Sequence, residues 1–257
     1  MAHQFRGGTT VLFARTTEIT LSALQYSFRE VKLNDPHPLF GFGAMHVPES
    51  LAGELADEAR DELHRLGLLD RGRVSDAFED ALYTLARPET EYVARVDNQG
   101  EQYSVFVGAR GRGVVTAVHD GARVLVKASD SRESPAAALV ARLPTFRPAK
   151  LALISLSQHE FRGDDSDFPD ERSRAARTVD ELLTRPAFGR GEINVSIRGT
   201  GRSRRVADGV LTYRDLSDGR VAFEVSGSER NRYITVMAGE GQMLVQRVAA
   251  LRASLDG

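Results

Sequence analysis

Histidines, carboxylates and glycine-arginine loops are the side chains of this 257-residue sequence that chemistry would most readily use. A zinc site requires His, Cys or carboxylate at short fixed intervals, as in HxH or HExxH. The histidines His3, His37, His46, His64, His119 and His159 form neither pattern, and His37 and His46 share a loop with no third ligand beside them. They read as surface or internally satisfied residues, so no metal site is expected. The acidic run GDDSDFPDE holds Asp164, Asp165, Asp167 and Asp170. A calcium loop needs a central glycine and a closing bidentate Glu, and this run has neither at the required spacing. It reads as a solvated loop ahead of a helix, where Asp170 complements the helix dipole.

Phosphate chemistry fares no better. GARGRG, from Gly108 to Gly113, has the glycines of a phosphate loop but is followed by a strand pattern and by no Lys-Ser/Thr pair. Such loops work because a helix N-terminus points its amides at the anion, so this one reads as a hairpin turn. RGTGRSRR carries Arg198, Arg202, Arg204 and Arg205 between two strand patterns, without the interleaved aromatics of a single-strand binder. It is expected to be an exposed, flexible hairpin loop, able to meet an acidic protein partner. No G-x-S-x-G elbow is present, and the carboxylate pairs scattered among 36 acids single out no glycosidase site. No catalytic residue and no cofactor are expected, and the balance moves towards a binding protein.

Composition narrows the class further. The formal net charge of −2 offers no basic field to gather nucleic acid or an anionic membrane. The absence of cysteine removes disulfides and thiolate chemistry and fits a reducing cytoplasm. No window approaches the roughly 18–20 apolar residues of a membrane helix, and the N-terminal apolar run, Val11 to Ala14, is too short for a signal-peptide core. A cytoplasmic protein with no membrane insertion is the expectation.

The elements that must position any site are well marked. TTVLFARTTEIT is a strand pattern, and LSALQYSFREVKL then places Leu24, Phe28 and Val31 at helical spacing. After the Pro- and Gly-punctuated NDPHPLFGFG, Pro48 opens a helix with the stripe Leu51, Leu55, Ala59, Leu63 and Leu66, stopped by Gly67. Ser75 caps a helix bearing Phe78, Leu82 and Leu85, which Pro88 ends. TEYVARVD, EQYSVFVGA, GVVTAVHD and ARVLVKA follow as short strands joined by tight turns, which makes them an antiparallel meander. Ser134-Pro135 opens a short helix. The second half runs KLALISLS as a strand, then DERSRAARTVDELLTRP as a helix with Ala176, Val179 and Leu183 on one face. Next come GEINVSIRG, VADGVLTYRD, GRVAFEVSG and RYITVMAG as strands, and QMLVQRVAALRASL as the last helix.

The two halves thus share an order of elements, including a helix that ends in Arg-Pro before four strands: ALYTLARPE in one, ELLTRPAFG in the other. The expected organisation is one domain over residues 1–257, made of two pseudo-repeats of about 9–148 and 149–257. Each meander has an apolar face to cover and edges that invite pairing. The expected fold is therefore α+β, a quasi-two-fold central twisted, mostly antiparallel sheet flanked by two helical bundles.

Four stretches carry a resemblance: EITLSALQYSF; the block from Ala59 to Val96, ARDELHRLGLLDRGRVSDAFEDALYTLARPETEYVARV; GRGVVTAVHDGARVLV; and the terminal RYITVMAG with QMLVQRVAALRASL. Together they resemble the EspG proteins, non-enzymatic cytosolic chaperones of type VII (ESX) secretion in actinobacteria. The resemblance implies an EspG-like fold and a partner, the PPE subunit of a PE–PPE-type heterodimer, held at the tip of its helical bundle so that it stays soluble for secretion. A secreted helical pair with an apolar tip aggregates unless that tip is covered. The family's contact surface maps here to Asp97, Asn98, Gln99, Gly100 and Glu101 in one turn, and to Gln242, Leu244, Val245 and Val248 in the C-terminal helix. This sequence departs from the family in that its DNQG turn is very short where several relatives carry a long loop. The RGTGRSRR loop or the helix from Pro135 then stands to share the contact. Asn98 to Gly100 equally fits a plain hairpin turn, and Leu244 and Val248 equally fit a core. The alternative from another class is a small-molecule-binding protein or hydrolase with a cleft between the halves. Oligomeric state is not legible.

Overall fold

Thr20 closes one strand and starts one helix. It ends β1 (Thr17–Thr20) with an extended backbone, and its Oγ1 accepts the Ala23 amide at 3.2 Å to cap α1 (Leu21–Glu30). The same device recurs where Ser157 ends β8 (Ile154–Ser157) and its Oγ accepts the Glu160 amide at 3.0 Å to cap α5 (Gln158–Arg162). The computed structural model describes residues 15–41, 49–130, 133–163, 172–199, 203–228 and 231–256. The expected strand residues Val11 to Ala14, His3, His46, Arg202 and the run Asp164 to Asp170 lie outside the described residues. The chain divides into two units, Met1–Glu89 with Val107–Glu133, and Thr90–Phe106 with Ser134–Gly257.

In the first unit β1 pairs antiparallel with β7 (Arg123–Asp130), and β7 with β6 (Gly113–His119). Helix α1 buries Ala23, Leu24 and Phe28, and α2 (Glu49–Arg65) packs on it through Ala59 and Leu63. Glu62 ties α2 to the β1–α1 junction, accepting the Thr20 amide at 2.8 Å and the Thr20 hydroxyl at 2.6 Å. The apolar stripe expected along α2 is only half used: Leu51 and Leu55 are 47% and 39% exposed. A two-stranded ribbon, β2 (Leu69–Asp70) with β3 (Arg73–Val74), leads to α3 (Asp76–Ala86), whose Phe78, Leu82 and Leu85 are fully buried. Ser75 occupies the N-cap position, but its hydroxyl makes no capping bond.

In the second unit the antiparallel order is β4 (Thr90–Asn98), β9 (Gly189–Arg198), β11 (Val210–Leu216), β12 (Gly219–Ser228), β13 (Asn231–Ala238) and β8. Strand β8 pairs with β13 as β1 pairs with β7. Strand β5 (Glu101–Arg110) runs from the second unit into the first. The sheet's two faces in this unit differ. One carries Val96, Ile193, Val195, Leu211 and Tyr213 and is covered by α7 (Gly241–Ala253), against which α4 (Pro135–Val140) packs. The other is apolar towards β8, where Leu156, Phe223 and Val236 pack with Ala176, Val179 and Leu182 of α6 (Arg174–Thr184). Towards β4 that same face becomes charged, with Arg190 paired to Asp97 and Glu192 to Arg95.

Two expectations are corrected here. Leu182, not Leu183, completes the buried stripe of α6; Leu183 is 37% exposed. Successive helical residues lie about 100° apart, so only one of the pair can face the sheet. RGTGRSRR is not simply an open loop, because Arg204–Val206 forms β10 on β9. Strand β11 pairs only with Gly189 to Ile193 of β9, which leaves the backbone groups of Ser196 to Arg198 to be satisfied by another strand.

Candidate functional site

Register brings the two expected contact pieces to one end of the second unit. Asn98 lies opposite Gly189, Gly189 opposite Asp215 and Asp215 opposite Arg220. The Gly239 amide then donates to the Arg220 carbonyl at 2.8 Å, just ahead of α7. This row crosses the strands from the β4–β5 turn to the start of α7, about 19 Å at the usual inter-strand spacing.

The turn is a tight two-residue hairpin. Gln99 and Gly100 have φ of 55° and 90°, the left-handed pair that matches strand twist, and Gly100 adopts it without a Cβ penalty. Asp97 Oδ1 accepts the Gly100 amide at 3.2 Å, and the Gln99 amide donates to the Phe188 carbonyl at 2.9 Å. The turn is thereby held against the segment that joins α6 to β9. Gln99, Gly100 and Glu101 are exposed, while Asp97 and Asn98 are half-buried. On α7, Gln242 is exposed and Val245 half-buried, whereas Leu244 and Val248 are fully buried on the sheet side. The structure thus places these last two in the core, the second of the roles their sequence allowed.

Two members of this row form a buried ion pair. Arg220 Nε and Nη2 donate to the two carboxylate oxygens of Asp215 at 2.6 and 2.8 Å, a bidentate geometry. The guanidinium also lies 4.1 Å from the centre of the Tyr213 ring and donates to the Pro144 carbonyl at 2.8 Å. Burial pushes the Tyr213 phenol far above its ordinary value, and the Tyr103 phenol, raised for the same reason, donates to the Arg142 carbonyl at 3.1 Å. The glycines of FGRGE explain the fit: a Cβ on Gly191 would come within 2.3 Å of the Tyr213 ring. Arg220 also clamps the chain after α4, donating its amide to the Arg147 carbonyl at 2.7 Å and accepting from the Ala149 amide at 3.0 Å.

The rim holds groups the sequence reading did not single out. Arg185 makes a fork to Asp218 at 3.1 and 3.0 Å, and this guanidinium holds the Asp218 carboxyl below the usual range. Phe188 is 53% exposed and, with Asp97, Ala187, Gly189, Arg190 and Arg214, lines a cleft of about 210 Å³. In the sequence, RPAFGRG reads only as the junction between a helix and a strand, and no local signal marks Phe188 as an exposed side chain. Elsewhere the flagged groups serve the fold. His37 Nδ1 accepts the Leu39 amide at 3.2 Å, Arg204 pairs with the buried Glu91, and Arg205 donates to the Leu255 carbonyl. Among the described residues no cluster of His, Asp or Glu is arranged to hold a metal ion, and no helix is long and apolar enough to cross a membrane.

Comparison with known proteins adds two findings. The model of the EspG family matches residues 20–250. Among solved structures, the chain is similar to the Mycobacterium tuberculosis type VII secretion system chaperone EspG5, determined in complex with a PE25–PPE41 dimer. The TM-score is 0.71 and the identity 14%, over 94% of this chain and 97% of that one. No curated protein matches.

Proposed function

Because the chain belongs to the EspG family, we propose that it is a cytosolic chaperone of type VII secretion that binds a PE–PPE-type heterodimer through its PPE subunit. On this reading it covers the apolar tip of the client's helical bundle, keeps the client soluble and involves no chemical step. The observation that carries the proposal is the row from Asn98 to Gly239, which sets the β4–β5 turn and the start of α7 at one end of the second unit. The similar chaperone EspG5 is known in complex with a PE25–PPE41 dimer, which supports the choice of client class.

Leu244 and Val248 hold α7 on the sheet, so the helix would meet a client through Gln242 and its exposed neighbours. The short Asp97–Glu101 turn offers little area by itself, and a standard interface needs about 800 Å² per partner. Further residues at this end must therefore contribute. Co-expression with PE–PPE-type heterodimers from the same genome tests the proposal. The expected result is a stable complex on affinity capture and a larger soluble fraction of the heterodimer. Capture of none of them, with no gain in solubility, contradicts it.

A further inference from the structure

Resting on that reading of function, we infer that the cleft beside Phe188 is the anchoring point of the client surface, and that it takes an apolar side chain adjacent to a carboxylate on the client's helical tip. Phe188 is 53% exposed, although its backbone is fixed on both sides. Its amide donates to the Asp215 carbonyl at 2.8 Å and its carbonyl accepts from the Gln99 amide at 2.9 Å. A large apolar side chain on a rigid backbone loses little freedom on docking, the property of interface hot spots.

The charge around it is one-sided. Arg190 and Arg214 line the cleft against the single carboxylate of Asp97. Asp97 is already engaged, accepting from Gly100 through Oδ1 and pairing with Arg190 through Oδ2 at 3.2 Å. Arg214 donates Nη2 to the Arg185 carbonyl at 2.7 Å, and its buried Nε has no partner among the described residues. Arg190 keeps 66% of its side chain exposed and lines the same cleft as Phe188. A client carboxylate entering here gains charge-assisted bonds while its apolar neighbour covers Phe188. The cleft is continuous with the β4–β5 turn through the Gln99–Phe188 bond and supplies area that the short turn lacks.

The test places a photo-crosslinking p-benzoylphenylalanine at position 188, 99 or 242 of the full chain co-expressed with the PE–PPE-type heterodimers, with Leu125 in the first unit as an exposed control site. In parallel, affinity for the captured heterodimer is measured for Phe188→Ala and Arg190→Glu. Phe188→Ala leaves the melting temperature unmoved, while Arg190→Glu, which sets a second carboxylate opposite Asp97, lowers it slightly, so binding is measured well below both melting temperatures. The inference predicts an adduct from position 188 and none from position 125. It also predicts weakening by about 30-fold for Phe188→Ala and about 10-fold for Arg190→Glu, with Arg190→Lys close to wild type. Adducts from 99 or 242 without one from 188, and both variants within about twofold of wild type, overturn the inference while the chaperone reading stands. No capture and no adduct at any position overturns both.

Discussion

Gly191 decides whether Tyr213 can lie across β9, and Tyr213 in turn carries the Arg220 guanidinium on its ring. Gly191→Ala is expected to destabilise the chain by about 1–3 kcal/mol, the usual range for overpacking a core, as read by urea unfolding. Arg220→Met leaves Asp215 buried without its partner and is expected to remove about 3–5 kcal/mol, whereas joining it with Asp215→Leu restores most of the loss. Equal loss in the single and double variants contradicts the pairing. The pair itself was not legible in the sequence. Asp215 and Arg220 are five residues apart across a turn, and only the register of β11 on β12 sets them opposite each other. A milder test concerns His119, whose Nε2 is buried without a partner among the described residues. Burial lowers its affinity for protons below the ordinary value of 6.5, with Asp120 partly opposing. The unfolded chain then binds more protons than the folded one just below that value, so stability falls as pH drops through it. His119→Asn is expected to shrink the stability difference between about pH 7.5 and about pH 5.5, and an unchanged difference contradicts this reading.

Strands and helices were legible where periodicity and turn residues agree. Each strand of the first meander was bounded to within a few residues because Asn98-Gln99-Gly100 and Asp120-Gly121 are hairpin chemistry. Legibility failed where geometry depends on a neighbour. β10 exists because β9 is longer than its partner, and the choice of Leu182 over Leu183 depends on where the sheet lies. The same limit applies to α7, whose sequence LVQRVAALRA is apolar enough to suggest either a client surface or a core. Leu244→Ala is expected to destabilise by about 2–5 kcal/mol, while Gln242→Ala shifts stability by no more than about 0.5 kcal/mol. Denaturant midpoints separate the two, and a small effect of Leu244→Ala contradicts its placement on the sheet side.

For the whole molecule, the order of strand, capped helix, further helix, four long strands and closing helix recurs along the chain, and β1–β7 is matched by β8–β13. The packing units nevertheless cut across the sequence halves, since Thr90–Phe106 packs with the second unit. That crossing builds the proposed contact surface. It brings Asp97 and Asn98 from the first half beside Phe188, Gly189 and Arg190 from the second, with Asn98 opposite Gly189 in register. The α+β class and the family resemblance were readable from patterns and conserve their meaning in the fold. Of the proposed contact surface, the turn and α7 were named from the sequence, whereas Phe188, Arg190 and Arg214 come together only through the register of β9 with β11 and β4. The most direct test of the central claim is size-exclusion chromatography of the purified chain with a purified PE–PPE-type heterodimer from its own genome. The proposal predicts co-elution of all three chains as one complex, lost on combining Phe188→Ala with Arg190→Glu. Separate elution of the chain and every such heterodimer contradicts it.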